Sequence, residues 1–255
     1  MNEFLGRKKE LAFLEEKYKS KNGEFVIIYG RRRIGKTETI SHFCKNKNAV
    51  FFTCTQTDNK SQLKNFSEKI LSFNLPQSKY ITEFSSWEHA FLALKEISAA
   101  NEEKKIVVID EFPYMAKEYA EIPSVLQKVW DTELKKENIL LILCGSSMSY
   151  IEKEILSEKN PLYGRATGIY KMLPMSFSDS SLFFPNWNKK DKIIAHAILG
   201  GIPYYFSILN NKKKLKENIF RVCEILNLED VYNRKFHKLS GGQKRRCEIA
   251  AALMH

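Results

Sequence analysis

The eight residues from Gly30 to Thr37 constrain the fold of this chain more than any other part of its sequence. They read G-R-R-R-I-G-K-T and match the pattern G-x-x-x-x-G-K-[ST] at every fixed position. The apolar run Phe25–Tyr29 precedes them, and Ile40 and Phe43 follow at helical spacing. Because such a loop curls its backbone N–H groups around phosphate oxygens and leads into a helix, the pattern predicts a strand, a phosphate-binding loop and a helix, in that order. A chance match in a surface loop is the alternative.

Each polar residue of this loop has a predicted role. Lys36 reaches the β- and γ-phosphates of a nucleotide, and the Thr37 hydroxyl is a ligand for Mg²⁺, an ion that keeps several waters and takes few protein oxygens. The three consecutive arginines fit several roles, since some could touch nucleotide, others a partner, and at least one is expected to be merely solvated. The predicted nucleotide-binding residues here are Gly30, Arg31, Arg32, Arg33, Ile34, Gly35, Lys36, Thr37 and Glu38.

A second segment offers the carboxylates that such a site needs. The apolar run Ile106–Ile109 predicts a buried strand, and Asp110 and Glu111 follow it directly. Asp110 is the predicted Mg²⁺ ligand, directly or through water. Glu111 is predicted to orient and deprotonate the attacking water, since phosphoryl transfer rests mainly on positioning and charge stabilisation. The pair favours an ATPase over a GTPase, and a solvated acidic turn is the alternative.

Strand-like apolar runs alternate with amphipathic helical stretches as far as residue 143. This alternation predicts an α/β fold with a parallel sheet flanked by helices. Together with the Gly30–Thr37 loop, it predicts the architecture of a P-loop NTPase. From about residue 190 the strand signals cease, and a helical C-terminal region is expected. The predicted strands are Phe25–Tyr29, Ala49–Cys54, Ile106–Ile109 and Ile139–Leu143, and further predicted helices cover 7–19, about 60–73, Trp87–Ala99 and 122–134.

Two further residues are candidates for contact with the γ-phosphate. Ser146 follows a predicted strand at the point where a neighbouring strand would meet the nucleotide. A Ser-rich helix cap is an equally good interpretation, with Ser147 or Ser149 capping a helix that starts near Met148. Arg165 lies in a loop and could neutralise charge in the transition state, although a surface arginine is the commoner case.

Composition narrows the classes of protein. The formal net charge of +11 suggests an anionic partner or simply a Lys-rich solvated surface, and residues 211–255 hold +6 of it. Nucleic acid as a partner therefore has only weak support.

The five cysteines contain no Cys-x-x-Cys pair and predict reduced thiols. No apolar run approaches the ~18 residues of a membrane span, and the N-terminus does not read as a signal peptide, so a cytoplasmic location is expected.

Six segments of the chain match the motifs of one known family in that family's order. They are Phe4–Arg7 with Glu10 and Leu11, Tyr29–Thr37, Ile109–Phe112, Cys144–Met148, Pro161–Thr167 and Gly200–Tyr205. Together they resemble the archaeal-type ATPase family of the STAND and AAA-related P-loop NTPases, over roughly residues 4–210.

This resemblance implies a P-loop ATPase core over residues 1–175 and the start of a helical lid over 176–212. It implies that Gly6 and Arg7 lie near the adenine and that Pro203 sits in a lid that closes over the nucleotide. It also makes Arg165 a stronger candidate for a phosphate-sensing or finger arginine. Since members of this family act as nucleotide-driven switches, ATP, Mg²⁺ and a protein partner are the expected ligands.

Residues 213–255 depart from that family. Their segment Leu239–Arg246 contains Ser-Gly-Gly-Gln and resembles the signature motif of ABC-transporter ATPases. The order of the motifs argues against an ABC-type ATPase over the whole chain. In ABC-type ATPases the signature motif comes shortly before the strand that ends in the acidic residues, whereas in this chain Asp110 comes 130 residues before Ser240. The tail is therefore predicted to be a helical fragment of a second family, with the Ser240 turn as another phosphate-binding helix terminus.

Three functions follow from these patterns. The leading one is a Mg²⁺-dependent ATPase that acts as a nucleotide-driven switch. The second is an ATP-binding scaffold with negligible turnover that recruits protein or DNA. The third is an accessory ABC-type ATPase that works through the tail.

Overall fold

The structure, a computed structural model, describes most of the chain as two compact units. The described residues are 4–97, 103–208 and 238–245, with positions 217, 224, 228, 234 and 247. The sheet unit comprises Lys8–Arg32 and Lys36–Leu173, and the helical unit comprises Met1–Arg7, Arg33–Gly35 and Pro174–His255. The middle of the predicted phosphate loop thus belongs to the helical unit, and its two ends belong to the sheet unit.

The sheet unit is built on five parallel strands. They are β1 (Glu24–Tyr29), β2 (Ala49–Thr53), β3 (Lys105–Asp110), β4 (Ile139–Gly145) and β5 (Gly168–Lys171). Their order in the sheet is β2-β3-β4-β1-β5, and every pairing is parallel. The strand before the phosphate loop, β1, and the strand before the acidic pair, β3, therefore lie on either side of β4.

The three central strands are buried along their whole length, which explains their apolar sequences. Every residue of β1, β3 and β4 is buried. Because successive side chains of a strand point to opposite faces, both faces of the sheet must be covered. On one face Phe25 and Ile27 join a core with Trp130, whose ring centre lies 5.2 Å from that of Phe25. On the other face Val26 and Ile28 are equally buried.

Helices connect the strands and continue beyond the sheet. In the described part of the chain the α-helices are α1 (Lys8–Lys19), α2 (Lys36–Cys44), α3 (Asn59–Leu71), α4 (Trp87–Leu92), α5 (Phe112–Glu118), α6 (Ile122–Thr132), α7 (Met148–Tyr150), α8 (Phe177–Ser180), α9 (Lys189–Leu199) and α10 (Pro203–Ile208). Side chains cap two of them in the sheet unit: Asp58 accepts the N–H of Ser61 at the start of α3, and Ser86 accepts that of His89 at the start of α4.

The α/β fold with its parallel, helix-flanked sheet is confirmed, and the differences from the prediction are local. The helix predicted at Trp87–Ala99 is shorter, since α4 ends at Leu92 and a 3₁₀ turn covers Ala93–Glu96; residues 98 and 99 lie outside the described residues. β5 was not predicted. Its four residues alternate between half-buried and exposed, so the apolar run that identifies a buried strand is missing.

The helical unit has its own small apolar core, formed by Phe184, Ala195, Leu199 and Phe206. α9 ends at Gly200, which adopts the left-handed conformation at φ 60° that glycine takes readily at a helix end. Gly201 follows at φ 72°, and a Cβ added there would lie 2.6 Å from the carbonyl oxygen of Met175. The Gly-Gly pair is therefore required by the tight turn into α10.

Most of the predicted tail, residues 213–255, lies outside the described residues, so its resemblance to ABC-type ATPases stays a prediction. The described part includes a reciprocal helix cap: Gln243 N–H donates to Ser240 Oγ at 3.2 Å, and Ser240 N–H donates to Gln243 Oε1 at 3.0 Å. Among all described residues, no helix has the length and apolar character needed to cross a bilayer.

Candidate phosphate-binding and catalytic site

The candidate site of the sheet unit lies where β1, β4 and β3 end side by side. Tyr29 and Gly145, the last residues of β1 and β4, are partners in the parallel register, and β3 runs parallel to β4 on its other side. The residues that follow these strands are therefore close together: Gly30 after β1, Ser146 after β4 and Glu111 after β3. Ligands of parallel α/β sheets bind at this carboxyl edge.

Lys36 opens α2 and is almost fully buried, with 5% of its surface exposed. Its ammonium group donates hydrogen bonds to the carbonyl oxygens of Gly30 at 2.9 Å and Arg31 at 3.0 Å. A fixed cation is thus held at a helix N-terminus, where the helix dipole also favours an anion. Because phosphate carries full negative charge, it is a stronger partner for this ammonium group than two neutral carbonyls.

Asp110 ends β3 and is 1% exposed. Its Oδ2 accepts a hydrogen bond from the Thr37 hydroxyl at 2.7 Å, and its Oδ1 accepts one from the Glu111 N–H at 3.0 Å. The first contact joins the start of α2 to the end of β3. Both predicted metal ligands therefore present their oxygens at one point.

The chemistry of these two oxygens fits a magnesium ion. Their 2.7 Å separation is that of the hydrogen bond between them. One hydroxyl and one carboxylate are the small, hard oxygen set that Mg²⁺ takes when it keeps several waters. The residues present therefore fit the ion.

Two buried cysteines, Cys54 and Cys144, lie beside Asp110. Burial, and next the negative charge of Asp110, raises the pKa of both thiols above the ordinary cysteine value. The thiol of Cys144 also hydrogen-bonds to the Asp110 carboxylate. Both cysteines therefore stay protonated and uncharged at neutral pH, as expected of buried thiols.

Glu111 is held both by its backbone and by its side chain. It caps α5 with φ 52° and ψ 39°, in the left-handed region, which costs a non-glycine residue about 1–3 kcal/mol. Its Oε2 accepts hydrogen bonds from the backbone N–H of Ser146 at 3.1 Å and from the Ser146 hydroxyl at 3.0 Å. The carboxylate of the predicted base is therefore fixed at the end of β4.

The same contacts distinguish the two interpretations of Ser146. α7 begins at Met148 with Ser147 as its N-cap residue, and the Ser147 side chain makes no cap hydrogen bond. The Ser146 side chain instead donates to Glu111. Ser146 is therefore in contact with the candidate base, and its predicted contact with a γ-phosphate stays a prediction.

The arginines of the phosphate loop have different contacts. Arg32 donates from Nη2 to the hydroxyl of Tyr114 at 2.7 Å, and its Nε lies 3.5 Å from Ser146 Oγ. Tyr114, on α5, was missed by the sequence analysis, and its only signal is its place three residues after Glu111. Arg31 and Glu38 are exposed, and their predicted contacts with nucleotide stay predictions.

In the helical unit, Gly6 and Arg7 lie against the backbone of the loop. Arg7 is 4% exposed and donates from Nη2 to the carbonyl oxygen of Ile34 at 2.6 Å. Both residues have positive φ, 73° and 59°. A Cβ added to Gly6 would lie 3.0 Å from the Met175 side chain, so the segment is tightly packed. Arg7 therefore braces the loop, and the predicted contact with adenine stays a prediction.

The first turn of α10 lies against the same loop segment. Pro203 Cγ lies 3.6 Å from the position of a Cβ added to Gly35, whose φ is 88°. Arg33 donates from Nη1 to the Tyr205 hydroxyl at 3.0 Å, and its guanidinium carbon lies 5.1 Å from the centre of the Tyr204 ring. Pro203 therefore lies against Gly35, and its predicted role in a lid over the nucleotide stays a prediction.

Arg165 is the predicted site residue that the structure does not bring to the phosphate loop of its own chain. Its guanidinium donates to Asp131 Oδ2 at 3.1 Å and to the Tyr163 carbonyl oxygen. Thr167, two residues later, pairs with Phe25 at the amino end of β1. The loop begins at Gly30, after the carboxyl end of β1 and five residues beyond Phe25, which is about 16 Å away at ~3.3 Å per residue. A side chain cannot span this distance.

Known proteins similar to this chain agree with the geometry. A family model of an ATPase domain predominantly from Archaea matches residues 4–209. The uncharacterized protein MJECL04 of Methanocaldococcus jannaschii is 37% identical over 202 residues, which are 79% of this chain and 43% of that protein. The chain therefore spans less than half the length of this relative.

Two solved structures share the fold. The Walker-type ATPase PABY2304 of Pyrococcus abyssi has a TM-score of 0.61 at 21% identity, over 98% of this chain and 73% of that one. The STAND protein with a tetratricopeptide repeat sensor, PH0952 of Pyrococcus horikoshii, has a TM-score of 0.55 at 15% identity, over 99% of this chain and 40% of that one. Both therefore share the fold of this chain.

Proposed function

Because the chain belongs to the family of ATPase domains found predominantly in Archaea, we propose that it binds ATP with Mg²⁺ at the Gly30–Thr37 loop and hydrolyses it. One observation carries the proposal. A fixed lysine, a hydroxyl–carboxylate pair of the kind that binds Mg²⁺ and a held glutamate meet at one edge of the sheet. Each of these features alone has a structural explanation, but together they supply what phosphoryl transfer to water needs.

Nucleotide binding begins with an exchange of partners at Lys36. The ammonium group leaves the carbonyl oxygens of Gly30 and Arg31 and bonds to the β- and γ-phosphates. Loop N–H groups and the N-terminus of α2 bind the same oxygens. Since Lys36 is already buried and fixed, little side-chain entropy is lost when it binds.

Thr37 and Asp110 would hold Mg²⁺ in this complex. The ion supplies charge that offsets the phosphate oxygens in the transition state. Glu111 then orients a water for attack on the γ-phosphorus and takes its proton. For this role Ser146 is a positioning residue, because its two hydrogen bonds fix one oxygen of Glu111 and leave the other available to water.

The switch function belongs to the same proposal. The loop segment Arg33–Gly35 belongs to the helical unit together with α10, so phosphate binding at the loop has a direct path to that helix. A protein partner would respond to the change in α10 that follows nucleotide binding. Nucleic acid is the weaker alternative, because the net positive charge of residues 1–210 is small. A cytoplasmic location completes the proposal.

Magnesium dependence is the first test. We expect the purified protein to release phosphate from ATP with Mg²⁺, to lose this activity in EDTA and to regain it when Mg²⁺ is added back. Asp110→Asn should lower turnover by roughly 100-fold, because the variant loses the charged metal ligand. Asp131→Asn is the matched control, since it makes the same change at the far edge of the sheet. Binding of ATP by the wild type without phosphate release would instead support the ATP-binding scaffold.

The positioning role of Ser146 makes a finer prediction. Ser146→Ala removes the hydroxyl donor but keeps the backbone N–H, so one of two hydrogen bonds to Glu111 remains. A lost hydrogen bond of ~1 kcal/mol should lower kcat about fivefold and leave KM for ATP unchanged. Ser149→Ala, an exposed serine three residues later, should match the wild type. A raised KM with unchanged kcat would show that Ser146 binds nucleotide rather than the base.

A further inference from the structure

The middle of the phosphate loop is clamped by two adjacent tyrosines of α10. Arg33 donates to the Tyr205 hydroxyl at 3.0 Å, and its guanidinium carbon lies 5.1 Å from the ring centre of Tyr204 and 5.8 Å from that of Tyr205. The two rings are edge to face, 5.7 Å apart. We call Arg33, Tyr204 and Tyr205 the arginine clasp.

The clasp is anchored in a packed part of the helical unit. Phe206, the next residue of α10, is 2% exposed and lies in the apolar core with Phe184 and Leu199. Packing of Phe206 therefore holds the part of α10 that carries the two tyrosines. The Arg33 guanidinium makes its hydrogen bond to Tyr205 and both ring contacts with this helix.

Arg33 also needs support, because its backbone is strained. Its φ is 66°, in the left-handed region that a side chain with a Cβ rarely adopts. The next glycine of the loop, Gly35, also has positive φ at 88°, without the cost of a Cβ. Ile34, between them, does not have positive φ, so the backbone alternates in hand over Arg33–Gly35. Such an alternation turns successive N–H groups toward one point, which is how a loop forms an anion-binding concavity.

We propose that Tyr204 and Tyr205 are positioning residues for nucleotide binding, which hold Arg33 in the left-handed conformation that shapes the phosphate loop. The proposal rests on the nucleotide-binding function proposed above and extends it to residues that need not touch the nucleotide. It explains why an arginine is accepted at a loop position where glycine would fit without strain. It also makes α10 the helix whose position is linked to occupancy of the loop.

A double-mutant cycle tests the clasp with two readouts. The variants are Tyr205→Phe, which keeps the ring and removes the hydroxyl, Arg33→Gly, which removes both the clasp and the strain, and their combination. Tyr204→Leu tests the ring contact, and Tyr80→Phe, at a tyrosine that is 87% exposed, is the control. The readouts are the dissociation constants of ATP and ADP, and the rate at which trypsin cuts the ligand-free protein after Arg31 and Arg32.

In the wild-type background, we expect Tyr205→Phe to weaken ATP and ADP binding alike by about fivefold and to speed trypsin cleavage by a similar factor. Tyr204→Leu should act in the same direction. In the Arg33→Gly background, Tyr205→Phe should change either readout by less than about 1.5-fold, since no clasp remains to be broken. Circular dichroism of every variant checks that the helices are retained.

Equal effects of Tyr205→Phe in both backgrounds would overturn the proposal, because they would show that the tyrosine only packs α10. No effect in the wild-type background would overturn it as well. If the wild type binds neither ATP nor ADP, the proposed function fails. The trypsin cycle in ligand-free protein still decides whether the tyrosines hold the loop.

Discussion

Replacing Lys36 with alanine is expected to weaken ATP binding by at least 100-fold. The buried ammonium group is the cation of the sheet unit that is held at the start of α2, and it would make charge-assisted hydrogen bonds to two phosphates. Such bonds contribute about 1.5–3 kcal/mol each, so the loss of two corresponds to roughly 100-fold or more in affinity. Isothermal titration with ATP and with ADP measures the effect, and both nucleotides should be affected because Lys36 reaches the β-phosphate too.

Lys45→Ala is the matched control for this change. Lys45 is exposed and follows the end of α2, so the variant loses the same charge near the same helix without touching the loop. Its affinity for ATP should stay within about twofold of the wild type, since exposed charges at this distance are largely screened. An affinity of Lys36→Ala within threefold of the wild type would contradict the assignment of the loop as the phosphate site.

The central strands could be predicted from the sequence, because a strand that is buried on both faces of a sheet is a continuous run of apolar residues. β1, β3 and β4 each contain a continuous apolar run. Site residues lie at their carboxyl ends: Gly30 follows β1, Asp110 ends β3 and Ser146 follows β4. β5 could not be predicted in this way. As an edge strand it is paired on one side only, by β1, and its Ile169 is half exposed, so its four residues do not differ in pattern from a loop.

Only part of the candidate site could be predicted from the sequence. The pattern Gly30–Thr37 names the phosphate loop because its chemistry depends on spacing along the chain. The contact between Glu111 and Ser146 depends instead on strand order, since β4 must end beside β3, and one sequence does not reveal strand order. For Arg165 the pattern gave a residue type but no location, and the structure places it with Asp131 at the opposite edge of the sheet.

The arginine clasp could not be predicted from motifs either. Tyr204 and Tyr205 belong to the same family-like segment as Pro203, whereas Arg33 belongs to the phosphate loop. Tyr205 and Arg33 are 172 residues apart along the chain, and no pattern in the sequence links them. A motif-based reading assigns such residues to the lid or to the loop, whereas the structure assigns them to one three-residue cluster.

Glu111 is the residue at which binding and turnover should separate most clearly. Its Oε2 is occupied by Ser146, and its backbone is fixed by the turn from β3 into α5. An amide at this position keeps an oxygen that accepts the same two hydrogen bonds from Ser146. The replacement by glutamine therefore removes the ability to take a proton while it preserves the shape of the site.

We expect Glu111→Gln to lower the rate of phosphate release by roughly 100-fold to 1,000-fold, the usual contribution of a positioned general base. ATP affinity should stay within about threefold of the wild type, because Glu111 is not needed to hold the phosphates. Glu118→Gln makes the same change at an exposed position at the end of α5 and should hydrolyse ATP normally. Turnover of Glu111→Gln equal to that of the wild type would remove Glu111 from the mechanism. Loss of ATP binding in this variant would assign it to the nucleotide pocket instead.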